Sequence, residues 1–260
     1  MKIRDVAAAI EAFAPLALQE SYDNAGLVVG RYDDELRGGV LIAVDVTREV
    51  LAEAVSLGCG MVVTHHPIIF HPLKRLNSQS EVERCVEFAI KNDIALYACH
   101  TNLDSAADGM SWRLGKMLGL HGVQVLEPTS EGAGFGVVGT LAEPMAVEAF
   151  FELLRNRLSV RVIRHSALVR DVVERVAICT GAGGSCIEAA RASQCDIYVT
   201  ADLRYNDFFA PADDFIVADI GHFESEFCAI DILFDILSKK ITNFALHKSA
   251  CSRNPVFYSL

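Results

Sequence analysis

Val40-Leu-Ile-Ala-Val-Asp-Val46 is an uninterrupted run of strand length, and Thr47-Arg-Glu-Val50 follows it as a helix start. Thr47 is a capping residue, and Glu49 falls in the first turn, where the helix dipole favours an acid. The helix, expected over 48–57, stops at Gly58, and Gly60-Met-Val-Val-Thr64 is a second short strand. Strands linked by a crossover helix run parallel, with the helix covering the sheet.

The alternation continues on both sides. Residues 3–14 read as an amphipathic helix; Asp5 and Glu11 leave too few apolar residues between them for a secretory core. Downstream come a helix near 80–91, the strand Ile94-Ala-Leu-Tyr-Ala-Cys99 and a helix over 109–119. Residues 127–136, with Pro, Ser, Thr and three Gly, read as a linker. Beyond it lie strands at 136–141, 160–164, 176–179, 196–200 and 215–219, with helices at 145–157, 186–193 and 223–238. The expected architecture is α/β with mostly parallel sheets in two lobes, 1–128 and 129–260; the last twenty residues fit either lobe.

Composition narrows the class. The chain has 260 residues, 52% hydrophobic and 22% charged, enough for a sizeable core. Thirty-four acids against 23 bases give a net charge of −11, which repels a phosphate backbone and argues against a general nucleic-acid binder. No apolar stretch approaches the roughly 20 residues of a membrane span. Eight cysteines include no Cys-x-x-Cys pair, and several sit in apolar runs. Reduced thiols in a cytoplasmic protein fit that placement.

Three clusters carry the chemistry. His65-His66 ends an apolar strand and is followed by Pro67. Adjacent residues on a strand point to opposite faces, so the pair suits two ions better than one. His100-Thr-Asn-Leu-Asp104 follows the next strand, with His100 and Asp104 one helical turn apart. Asp219-Ile-Gly-His222-Phe-Glu224-Ser-Glu226 follows a third strand. His222 and Glu226 share one side of a helix start, so Glu226 is the better ligand and Glu224 the weaker. The carboxyl ends of parallel strands are where such sheets bind ligands. Imidazoles and carboxylates together favour zinc, manganese, iron, cobalt or nickel over calcium and magnesium. Two such ions would acidify a water and polarise a substrate oxygen, as in a hydrolase. His71, His121, His165 and His247 lack a carboxylate at useful spacing.

Two glycine motifs are weaker. Gly134-Phe-Gly136-Val-Val-Gly139 matches a dinucleotide fingerprint in letters but precedes a strand instead of opening a helix. Gly181-Ala-Gly183-Gly184-Ser185 joins a strand to a helix, as a tight turn or as an anion-holding loop.

Five blocks together resemble the NIF-three-like family (YbgI type), whose bacterial members are labelled GTP cyclohydrolase type 2 homologues. They are Ser21-Tyr-Asp-Asn-Ala-Gly-Leu-Val-Val-Gly30, Val63-Thr-His-His-Pro-Ile-Ile-Phe70, His100-Thr-Asn-Leu-Asp104, Tyr198-Val-Thr-Ala-Asp-Leu-Arg-Tyr205 and Gly221-His-Phe-Glu-Ser-Glu226. The resemblance implies two similar α/β lobes with a dinuclear metal site between them, and a toroidal homohexamer. It implies His65, His66, Asp104, His222 and Glu226 as ligands of two divalent ions per chain, Glu226 bridging. His100 matches as a ligand or as a group beside the ligands, and Glu226 and His100 are the candidate catalytic residues. Ala201 stands where the family commonly has Gly, and Asn206 where it commonly has His. The expected function is a metal-dependent hydrolase, cyclohydrolase-like or phosphoesterase, acting on a nucleotide-like or phosphorylated small molecule. The alternative is a non-catalytic regulatory or scaffold ring, or a metal chaperone.

Overall fold

A computed structural model describes residues 1–242 and 244–259. The chain divides into two compact units, one of residues 1–103 with 229–260 and one of residues 104–228.

The first unit opens with α1 (Ile3–Glu11), β1 (Gly26–Val29), β2 (Gly39–Ala43), α2 (Arg48–Ser56), β3 (Cys59–Thr64), α3 (Glu81–Lys91) and β4 (Ala95–Ala98). Thr47 caps α2 by accepting from Val50 N, and Ser80 caps α3 by accepting from Glu83 N, each at 3.2 Å. β2, β3 and β4 pair in parallel, and β1 pairs antiparallel with β4 at one edge. Every residue of β2 is buried, because both sheet faces are covered. Leu41, Val62 and Leu96 join Val50 and Leu51 of α2 and Cys85 and Ala89 of α3 in one cluster. The alternate residues Val40, Ile42, Met61 and Val63 are also fully buried. A buried side chain of this size stabilises the fold by about 1.5–3 kcal/mol.

The chain leaves the first unit within α4 (Thr101–Ser105). The second unit contains α5 (Met110–Met117), β5 (His121–Ser130), β6 (Ala133–Ala146), α6 (Val147–Leu158), β7 (Arg164–His165), β8 (Val172–Ala182), α7 (Ile187–Ala192), β9 (Ile197–Ala201), β10 (Ile216–Asp219) and α8 (His222–Glu226). Its strand order is β5-β6-β8-β9-β10-β7. Only β8–β9 and β9–β10 are parallel; the other three pairings are antiparallel. The sheet is therefore mixed, where a mostly parallel one was expected.

The expected linker at 127–136 is a β-hairpin. Ser130 pairs with Ala133 across a turn in which Gly132 takes a φ of 74°. Glycine supplies a tight turn here instead of flexibility. The boundary expected at 128–129 thus falls inside β5. Residues 160–163 are irregular, and only Arg164 and His165 pair, with β10. The helix expected over 223–238 is two, α8 and then α9 (Cys228–Lys240), broken at Phe227.

α9 returns the chain to the first unit, where β11 (Leu246–Lys248) pairs in parallel with β2. Of the last twenty residues, Asn243 and Leu260 lie outside the described set. Ser249 N donates to Ile42 O at 2.8 Å, and Val44 N donates to Ser252 Oγ at 3.1 Å. Among the described residues no helix is long and apolar enough to cross a membrane. None of the eight cysteines is in a disulfide, and seven of them are buried.

Candidate metal centre

β2, β3 and β4 are parallel, so residues 45, 65–66 and 100 all follow strand ends on one edge of the first sheet. There His65, His66 and His100 each bring a ring nitrogen within 4.8 Å of the others. Their ring centroids are 4.9–5.5 Å apart. His65 is fully buried, held against Cys99 O by its Nδ1 at 2.8 Å. His66 Nδ1 lies 2.8 Å from Asp45 Oδ1, and His100 Nδ1 lies 2.7 Å from Asp23 Oδ1. Carbonyl and carboxylate oxygens only accept, so each Nδ1 carries the proton and donates. In the neutral ring Nε2 is then the lone-pair nitrogen that a cation would take.

Asp23 is itself fixed by several donors. Thr101 N and Thr101 Oγ1 donate to Oδ2 at 3.0 and 2.5 Å, and Asn24 N donates to Oδ1 at 2.7 Å. Burial opposes its ionisation, but the bonds from His100 and Thr101 and the charge on His100 outweigh it and hold the carboxyl at about 2.

The second unit carries its own set. α8 places His222 and Glu226 one turn apart, with Nε2 of His222 2.8 Å from Oε2 of Glu226. His222 Nδ1 lies 2.7 Å from Asp202 Oδ2, so it too is oriented by a carboxylate. Glu226 is buried, and a carboxylate oxygen of Asp104 lies within 4.8 Å of one of its own. Thr180 Oγ1 donates to Asp104 Oδ1 at 3.4 Å. Gly181 has a φ of 63°, and a Cβ there would collide with Glu226 Oε1.

That contact decides the role of the 181–185 turn. Gly181 N donates to Ser225 Oγ at 2.9 Å and Gly183 N to Thr200 Oγ1 at 3.1 Å. Tyr198 Oη donates to Gly183 O at 2.7 Å. These amides serve the fold, so the turn packs under Glu226 instead of offering an anion loop. Asp219 likewise has a structural job: its Oδ2 pairs with Arg164 and accepts from Leu203 N. Glu224, His71, His121, His165 and His247 join none of the donor groups among the described residues.

Three working residues carried no assignment from sequence: Asp23, Asp45 and Asp202. Asp23 and Asp202 sit in two of the family-like blocks, and Asp45 in the first strand run. For Asp45 and Asp202 a carboxylate just past a strand end was the available signal; Asp23 lies in the turn before β1 and offered none. Such partners fix the tautomer of a ligating histidine and raise its basicity.

The sequence model of the Duf34/NIF3 (NGG1p interacting factor 3) family matches residues 1–255. A Clostridium perfringens protein named GTP cyclohydrolase 1 type 2 homolog is 33% identical over 230 residues, covering 87% of each chain. A Lactococcus lactis protein of the same name is 32% identical over 269 residues, covering 100% of both. The crystal structure of a Bacillus cereus protein related to NIF3 superposes with a TM-score of 0.92 at 24% identity, over 100% of this chain and 99% of that one, and shows the same fold. A match of this extent, with relatives above 30% identity over most of their length, places the chain in the Duf34/NIF3 family.

Proposed function

We propose that this chain is a dinuclear divalent-metal hydrolase acting on a nucleotide-like or phosphorylated small molecule. His65, His66, Asp104, His222 and Glu226 hold the two ions, with Glu226 shared. The observation that carries the reading is the common orientation of four imidazoles. His65, His66, His100 and His222 each commit Nδ1 to a carbonyl or carboxylate oxygen, which leaves Nε2 as the candidate ligand atom; that of His222 sits 2.8 Å from Glu226 Oε2, where a bound cation would replace the proton between them. Core histidines that serve only packing have no reason to share that arrangement at strand ends in both units. The donors are nitrogen and oxygen with no sulfur, which suits zinc, manganese, iron, cobalt or nickel. Such ions, when bound, lower the pKa of a water and polarise a substrate oxygen.

The protein's own groups then have distinct tasks. Asp45, Asp23 and Asp202 fix the tautomer and the orientation of the rings. Glu226, buried beside His222, presents two oxygens and so can serve both ions. His100, backed by an ionised Asp23, is placed to pass a proton at Nε2. Family membership supports a homohexamer, and thiol burial supports a reducing compartment such as the cytoplasm.

The test is metal content per chain by elemental mass spectrometry, on protein purified without chelator or nickel affinity resin. Near two ions per chain, reduced in Glu226→Ala, is the expected result. Formate release from GTP and phosphate release from simple esters then separate the two hydrolase types. Metal-free protein that no added ion loads would defeat the reading. Two ions without turnover on either substrate class would favour the metal-carrier alternative.

A further inference from the structure

Beside the three imidazoles the first unit carries an aromatic wall that metal binding does not require. The Tyr22 and Phe70 rings are 6.3 Å apart at 64°, and the Phe70 ring is 6.0 Å from the His100 ring at 84°. Neither belongs to the core: Tyr22 is 64% exposed and Phe70 38%. Their segments are nevertheless fixed together, because Asn24 Nδ2 donates to Ile69 O at 2.6 Å. Next to Asn24, Asp23 anchors the same turn to His100 and Thr101. The wall is thus positioned by the groups that orient the site.

Two cations follow on the loop that carries Phe70. Lys74 and Arg75 are exposed, and neither has a hydrogen bond or ion pair among the described residues. In a chain with 34 acids and 23 bases, two adjacent uncommitted cations on the loop that follows the paired histidines are a specific feature. Exposed ring faces next to a polar site fit a planar ring, because stacking needs only a π face. Cations four and five positions beyond Phe70 on the same exposed loop fit an anion joined to that ring.

We propose that Tyr22 and Phe70 form the stacking surface for the heteroaromatic ring of the substrate and that Lys74 and Arg75 attract its phosphate. The ligand class is therefore a nucleotide, not a sugar phosphate or a simple ester. This rests on the proposed site, since the wall matters only if substrate reaches His100.

Calorimetric titration of the full-length, metal-loaded protein with GMP, guanosine and ribose 5-phosphate tests it. GMP should bind more tightly than either fragment. Tyr22→Ala and Phe70→Ala should each weaken GMP about tenfold, while Tyr22→Phe keeps wild-type affinity. The Lys74→Ala/Arg75→Ala double variant should weaken GMP and leave guanosine unchanged. Melting temperature and metal content, measured on each variant, should stay at wild-type values, because the altered side chains are outside the core and the ligand set. Ribose 5-phosphate binding as tightly as GMP, no GMP binding at millimolar concentration, or alanine variants equal to wild type would each overturn the inference. So would an altered native mass with unchanged GMP affinity, which would make the rings a contact between copies. The two readings fail separately. Ring-dependent GMP binding by protein that takes up no metal would sink the hydrolase and leave the wall. Two retained ions with ring-independent binding would do the reverse.

Discussion

Asp45 Oδ1 lies 2.8 Å from His66 Nδ1, so a carboxylate at the end of β2 fixes the ring at the end of β3. The two residues sit on neighbouring parallel strands, and the strand pairing sets their meeting. Asp45→Asn keeps the size of the side chain but removes the charge and offers an amide donor. Metal affinity, read by competition with a chelator, should fall about 10–100-fold. The metal-free protein should melt as wild type, since the Asp45 side chain is 40% exposed. Unchanged affinity would mean that His66 is not a ligand.

Gly181 and Gly132 make a matched pair. Both have positive φ, 63° and 74°. Space differs: a Cβ at 181 meets Glu226 Oε1, whereas at 132 nothing lies within 4 Å. Alanine in the left-handed region costs about 1–2 kcal/mol at either site. Gly181→Ala must also displace Glu226, so it should lose bound metal as well as stability. Gly132→Ala should lose stability alone. Denaturant melts with elemental analysis on both variants decide this, and equal metal retention would remove Glu226 from the ligand set.

The strand–helix–strand unit over 40–64 was legible because its signals are local: an apolar run, a threonine cap and a terminal glycine. Edge strands were not. β1 and β11 are defined by pairing with β4 and β2, residues far away in the chain. The 127–136 stretch misled because glycine marks both a linker and a hairpin, and only the partner strand tells them apart. At the site, His65, His66, Asp104, His222 and Glu226 stood out by their spacing beyond strand ends. Asp23 did not, because it meets His100 from 77 positions away. Reading such a partner from one sequence requires the fold first.

Glu53 makes stability depend on acid. It accepts from Ser249 Oγ at 2.5 Å, from Ala250 N at 2.9 Å and from Cys251 N at 3.3 Å, which clamps the segment after β11. Burial raises its pKa, but those bonds outweigh it, so the folded value lies below the ordinary one. A depressed acid contributes fully above its unfolded value, about 4.3, and the contribution is lost as pH falls through the folded value. Between pH 6 and pH 3 the wild type should therefore lose more stability than Glu53→Gln. Hydrogen exchange at the Ala250 and Cys251 amides should accelerate over the same range in the wild type. Parallel stability profiles would show that the clamp adds nothing.

Cys251 offers a check on the same clamp by a different chemistry. It is the one cysteine among the eight that is not buried. Its thiol is pushed up by partial loss of solvent and by the neighbouring Glu53 charge, so little thiolate exists at neutral pH. A disulfide reagent at pH 7.5 should modify one thiol per native chain, slowly, and the remaining seven only after denaturation. Glu53→Gln removes the charge and one of the two acceptor oxygens that hold the segment, so the native thiol should react faster in that variant. Reaction of two or more thiols in the native wild type would show that the cores around Cys59, Cys85, Cys99, Cys179, Cys186, Cys195 and Cys228 open more readily than their burial implies.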